Sequence, residues 1–175
     1  MNRMTTLVEG DRFKDVMAAV GAPVTIVTAF DGDVPHGTTV TAFSSLSLDP
    51  PLADIALSEN SALLPKIIRS GRFGVNVLAR PQEELARRFA RRDVDRFAGA
   101  DWYADDGLPR LSGCTGWLAC DVRQTVESGD HVLIIGAVTA AGRSARTDPL
   151  IYMNRTFVTL SSDSATTPAS TRTVS

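Results

Sequence analysis

Apolar positions along the chain change period more than once, and each change marks an element. From Asp11, the residues Phe13, Val16, Met17 and Val20 recur at helical spacing until Gly21 can close the turn. After Pro23 the period becomes two: Val24, Ile26 and Thr28 alternate with Thr25, Val27 and Ala29, a strand ending in the turn-like Asp31-Gly32-Asp33. The run TTVTAFSSLS after His36-Gly37 is again extended, and Asp49-Pro50-Pro51 must break it, because proline lacks a donor and restricts its predecessor. Leu52 to Ser58 reads as a strand. Ser61 to Ser70 reads as a short helix capped by Asn60 or Ser61 and stopped by Gly71.

Phe73 to Leu78 is a further strand, and Pro81 opens a helix running to Arg92. A looser stretch rich in Asp and Gly follows, from Asp93 to Pro109. Two long strands, Thr115 to Val126 and His131 to Ala140, are joined by Glu127-Ser128-Gly129-Asp130, and Arg155 to Leu160 is the last. Six or so strands, few helices and mostly hairpin-length connections predict a mostly β chain: a closed antiparallel barrel with helices packed outside. Strands and helices do not alternate as a doubly wound sheet requires, and no GxGxxG or P-loop follows a predicted strand. Residues 11–160 form one expected domain. The tail 161–175 has almost no large apolar residue and is expected to be disordered.

Composition narrows the function classes. At 175 residues with 43% hydrophobic and 22% charged, the chain is an ordinary single globular domain. A net charge of −2 offers no general attraction for nucleic acid or anionic membrane. No apolar run is long enough to span a bilayer, and the start lacks a secretory pattern. Cys114 and Cys120 are the only cysteines and read as free thiols of a cytoplasmic protein. Two histidines and no CxxC pair give no expected metal site.

The segment HGTTVTAFSSLSLDPP, His36 to Pro51, is the strongest chemical signal. Small hydroxylated side chains around one Phe, ended by a rigid stop, let a flat ligand lie against the backbone. The alternative is an edge strand with its hydroxyls in water. His36 itself is read as a turn residue.

Four blocks, HGTTVTAFSSLSLDPP, GRFGVNVLA, QEELARRFARR and GDHVLIIGAV, resemble in order the flavin reductase family of two-component flavin-dependent monooxygenases, over roughly Phe13 to Phe157. The resemblance implies a split β-barrel that binds FMN or FAD at a homodimer interface and reduces it with NADH or NADPH. It implies a wall for the ring and ribityl chain made by Thr39, Val40, Thr41, Ala42 and Phe43 with Ser44 and Ser45. Ser58, Asn60 and Ser61 match the position contacting the flavin's phosphate end. Phe89, Ala90 and Arg91 match a helix end that approaches the flavin, where an arginine can neutralise phosphate. The Gly129-Asp130-His131 turn resembles one beside the nicotinamide, making His131 a nicotinamide contact, and Tyr152, Met153, Asn154 and Arg155 match the segment that completes that pocket. Thr38 stands where many of that family carry methionine, which makes the wall smaller and wetter.

Hydride transfer between two cofactors requires no acid, base or nucleophile from the protein, so no catalytic side chain is expected. No basic residue is evidently reserved for a 2′-phosphate, which favours NADH. The partner expected to consume the reduced flavin is a flavin-dependent monooxygenase, and Trp102, Tyr103 and Trp117 are candidates for the dimer face. The rival reading is a non-catalytic flavin carrier on the same barrel. A nucleic-acid module lacks its aromatic–basic stripe, and a pyridoxine-type oxidase lacks an evident basic phosphate clamp.

Overall fold

The computed structural model describes residues 7–145 and 148–158. The expected tail 161–175, and the end of the last expected strand at Leu160, lie outside the described residues. Three helices occur among them: α1 (Gly10–Ala18), α2 (Leu64–Ser70) and α3 (Glu83–Ala90), the last entered by a 3-10 turn at Arg80–Gln82. The chain also forms β1 (Ala22–Pro23), β2 (Thr25–Asp31), β3 (Val34–Val40), β4 (Phe43–Leu48), β5 (Pro51–Ser58), β6 (Arg72–Val77), β7 (Trp102–Asp105) and β8 (Leu108–Leu111). The remaining strands are β9 (Gly116–Ser128), β10 (His131–Arg143), β11 (Ile151–Met153) and β12 (Thr156–Val158).

Seven strands make one antiparallel sheet in the order β3-β2-β6-β9-β10-β5-β4. Its two edge strands, β3 and β4, are separated in sequence only by Thr41-Ala42. A two-residue link cannot cross a flat seven-stranded sheet, whose strands lie about 4.8 Å apart. The sheet must therefore curl until its edges meet. They meet without a ladder: Phe43 N donates to Thr41 O and Ala56 N to Ala42 O, and β3 and β4 are not paired. The barrel is split along this seam rather than closed as periodicity alone suggested.

Strand β2 is buried on both faces over its first five residues. Val27 and Ala29 point into the barrel with Val40, Ile55, Phe73 and Ile134. Ile26 points outward with Val24, into a second core formed with Ala86, Phe89, Leu111 and Leu150. This second core holds α3 against the seam. Gly71, in the left-handed conformation at φ 68°, ends α2 as expected. Asn60 and Ser61, by contrast, do not cap it; α2 begins at Leu64, after a turn, and no side chain caps it.

The region expected to be loose from Asp93 to Pro109 contains most of the β7–β8 hairpin, and β11 also escaped the periodicity. Thr28 Oγ1 donates to Pro109 O at 2.7 Å, and Leu111 N donates to the buried Asn76 Oδ1 at 2.8 Å, so the hairpin is locked to the sheet by polar side chains. Of the three aromatics proposed for a dimer face, Trp117 is buried, Trp102 packs on the second core, and Tyr103 alone is exposed. Cys114 and Cys120 are free and buried. No helix among the described residues is long and apolar enough to cross a membrane.

Candidate functional site

Two cavities flank the outer edge of β3. The first, of about 860 Å³, lies between β3, the turn after β5 and the segment following α3. The second, of about 740 Å³, lies between α3, β3 and the β11–β12 hairpin. Thr39, Thr41 and Ala90 line both, so β3 and the end of α3 form a ridge between them. Both volumes lie in the range of small-molecule sites.

The ridge is held by polar bonds from β3 to α3. Thr39 Oγ1 donates to Ala86 O at 2.6 Å, and Thr38 Oγ1 reaches Phe89 O at 3.4 Å. Two of the hydroxyls expected to line a wet wall therefore fasten the strand to the helix, and Thr41 stays exposed between the cavities. Arg96 completes the clamp: its Nη1 donates to Gly37 O at 2.6 Å and its Nε to Arg91 O at 2.7 Å. A side chain at Gly37 would meet Phe89 Cε1 at 2.9 Å and Val27 O at 3.1 Å, so glycine is what allows β3 and α3 to approach. Phe97 stands edge-on between Phe89 and Trp102, at centroid distances of 5.0 and 5.5 Å, and so fixes the segment after α3.

The first cavity gathers much of what the sequence proposed. Thr39, Val40, Thr41 and Ala42 line one side, and Ser58, Asn60 and Ser61 line the turn. Ala90 and His131 also face it. His131 is opposite Ser58 in the β10–β5 register, and its Nδ1 lies 2.8 Å from Asp130 Oδ1, which holds the Asp130 carboxyl below the usual range. Other proposed residues stand elsewhere. Phe43 packs against the barrel core, Ser44 Oγ donates to Asp54 Oδ1 at 2.6 Å, and Ser45 is exposed on β4. Phe89 is fully buried beneath Gly37.

Arg91 and Tyr152 line the second cavity, not the first. Arg91 pairs with Asp93 through both Nε and Nη2, which raises its pKa further. Met153 packs beside Gly21, while Asn154 and Arg155 form a left-handed turn in which Arg155 pairs with Asp15 of α1. His131 and the Tyr152 segment thus belong to different cavities of this chain.

Several lining residues carried no periodic signal. His36 lies within β3, opposite Ala29, rather than in a turn, and it faces the first cavity. Burial first, then Lys66 and Arg96, hold its pKa below the ordinary histidine value, against an opposing pull from Asp31. Arg92, Val94, Asp95 and Arg96 line the same cavity. Asp95 Oδ1 is occupied by Phe97 N and Ala98 N. The only hint in the sequence was the density of arginine from Arg87 to Arg96. Among the described residues no cluster of metal-ligating side chains occurs.

Comparison with known proteins places this geometry. The flavin reductase-like domain matches residues 17–161. The chain is 36% identical over 160 residues to the actinorhodin polyketide dimerase of Streptomyces coelicolor, covering 90% of each protein. It is 35% identical over 159 residues to the reductase subunit of a flavin-dependent monooxygenase of Rhodococcus jostii, covering 90% of this chain and 81% of that one. The NADH:FAD oxidoreductase of Streptomyces globisporus, solved in complex with NAD and FAD fragments, superposes with a TM-score of 0.84 at 30% identity, over 91% of this chain and 99% of that one. With a match over most of its length and a shared split-barrel fold, the chain belongs to the flavin reductase-like domain family.

Proposed function

We propose that this protein is an NAD(P)H-dependent flavin reductase that supplies reduced FMN or FAD to a partner monooxygenase, with NADH the favoured donor. The observation that carries the reading is the edge of β3. As the terminal strand of the sheet, it keeps alternate backbone N–H and C=O groups without a strand partner, and it borders a cavity wide enough for a planar cofactor. Those backbone groups, apart from the Gly37 carbonyl taken by Arg96, suit the polar rim of a flavin, and the small apolar Ala42 beyond them suits its ring.

When bound, the flavin supplies the ring that accepts hydride, and the nicotinamide supplies the hydride. The protein's part is placement, because orienting two reactants at contact distance removes the entropy of bringing them together. Thr39, Thr38 and Arg96 hold β3 rigid against α3. Thr41 and the free backbone edge orient a ring along the strand. His131 stands at the rim, where a nicotinamide layered over that ring would meet it. Tyr152 borders the second cavity, and with Met153, Asn154 and Arg155 beside it would complete the nicotinamide side once a second copy covers the seam.

A homodimer belongs to this reading. The apolar face of α1 and the turn after it supports it, since Phe13, Val16 and Met17 on the helix and Val20 beyond it are all exposed on this chain. Full activity of a species that sediments as a monomer would remove that part. A cytoplasmic setting is supported by the two unbridged thiols. The whole reading is tested by following NADH absorbance with and without added FMN or FAD. Flavin-dependent oxidation is the expected result; tight flavin binding without turnover by either NADH or NADPH would leave a carrier instead.

A further inference from the structure

We propose that a third cavity, at the turn between β2 and β3, docks an arginine side chain presented by a partner protein. The inference holds whether or not the first cavity takes a flavin, since this cavity shares no lining residue with either of the other two.

The third cavity has a volume of about 410 Å³ and is lined by Phe30, Gly32, Asp33, Trp102, Tyr103 and Ala104. Asp33 sits in the two-residue turn that joins β2 to β3, and the aromatic rings come from β2 and β7. Phe30 and Trp102 stand 6.1 Å apart with their planes tilted by 60°, so they form a corner rather than a stack. Asp31, just before the turn, is already paired with Lys66 and Arg69. Asp33 has no hydrogen bond or ion pair among the described residues. An unpaired carboxylate beside three aromatic rings attracts a cation twice over, by its charge and by the ring quadrupoles.

The chain itself shows which cation completes such a set. Arg110 lies 4.9 Å from the Trp117 ring and 5.7 Å from the Tyr103 ring while its Nη1 donates to Asp105 Oδ2 at 2.6 Å. Arg87 lies 4.8 Å from the Phe157 ring while its Nη2 donates to Glu83 Oε1 at 2.6 Å. Both times a guanidinium rests on a ring and gives its edge to a carboxylate, a combination that a planar fork allows and a point-charge ammonium does not. The third cavity offers the same rings and carboxylate, and no arginine among the described residues pairs with Asp33. Tyr103, Ala104 and the neighbouring Val34 are exposed, which gives the cavity a mostly apolar rim. One anchoring side chain inside such a rim is the plan of a protein contact, in which arginine is a preferred anchor. Val34 also lines the first cavity, so a protein seated here borders both.

The test titrates the full chain with N-acetylargininamide and follows the indole N–H resonance of Trp102 by NMR. Trp117, the only other tryptophan, is buried and serves as the internal reference; loss of one resonance in Trp102→Phe assigns the pair. A saturable shift of Trp102 alone is expected. The citrulline analogue, with the same shape and no charge, should bind at least about fivefold more weakly, and Asp33→Asn should weaken the arginine probe by about as much. Glu127→Gln removes an acid from an exposed site on β9 and should change the Kd by less than about twofold. No saturable shift, equal binding of the two analogues, or an unchanged Kd in Asp33→Asn overturns the proposal. Free arginine that binds more than about tenfold tighter than the blocked form overturns it too, because the site would then read the termini of an amino acid rather than a protein side chain.

Discussion

The Thr39 hydroxyl donates to the Ala86 carbonyl oxygen across 2.6 Å, which joins the edge strand of the barrel to the third turn-forming helix of the chain. A hydroxyl turned inward to the scaffold does different work from one turned to a ligand. It fixes the backbone against which a ring can lie. Replacing Thr39 by valine keeps the shape and removes the bond, at a cost of about 1 kcal/mol. A lower denaturant midpoint together with weaker flavin binding is the expected pair of results. Weaker binding at unchanged stability would mean that the hydroxyl faces the ligand after all.

His36 makes stability depend on pH. Its folded pKa is lowered, chiefly by burial, so the folded chain takes up this proton only at a lower pH than the unfolded chain, where histidine titrates near about 6.5. Above that value neither state is protonated and the contribution is complete. As pH falls through about 6.5 the unfolded state gains a proton that the folded state refuses, and stability declines. Urea midpoints at about pH 7.5 and about pH 5.5 should differ more for the wild type than for His36→Gln. An identical difference in the two proteins would show that other groups carry the acid sensitivity.

The barrel was legible in the sequence because β2, β5, β6, β9 and β10 each carry long β-rich runs with sharp turn signals at their ends. The seam was not. TTVTAFSSLS is extended throughout, and only the sheet order shows that its two halves are opposite edges parted at Thr41-Ala42. The β7–β8 hairpin was hidden for another reason: its strands are four residues long and are fastened by Thr28 and Asn76, whose partners are distant in sequence. The cavity wall from Arg92 to Arg96 has no period of its own, since Phe97 anchors it from one end. Family blocks pointed to Phe89-Ala90-Arg91, and the turn of the helix end decided that Arg91 and Arg92 face different cavities.

Both cysteines should be inert in the folded protein. Burial pushes the Cys114 thiol up to about 11 and Cys120 up to about 12. At about pH 8 the thiolate fraction of the more acidic one is then only about one in a thousand, and the thiolate is the reactive form. A disulfide-exchange reagent should label neither residue in native protein and both after unfolding. Rapid labelling of one thiol in native protein would show that its site opens readily, and the raised pKa would not describe the state in solution.

His131 is about half exposed, at the mouth of the first cavity beside Ser58, while β3 supplies the wall. On the reading proposed above, the flavin lies along β3 and leaves His131 to the second ligand. A second ligand stacked over the first would meet His131 directly. His131→Ala is therefore expected to raise the apparent KM for NADH several-fold while leaving the flavin Kd within about twofold, since one lost hydrogen bond is worth about 1 kcal/mol. The mutation removes no buried contact, so thermal stability should stay within about 0.5 kcal/mol. Steady-state kinetics at saturating flavin and a separate flavin titration measure the two quantities independently. Collapse of flavin affinity with normal nicotinamide kinetics would move His131 from the nicotinamide to the flavin itself.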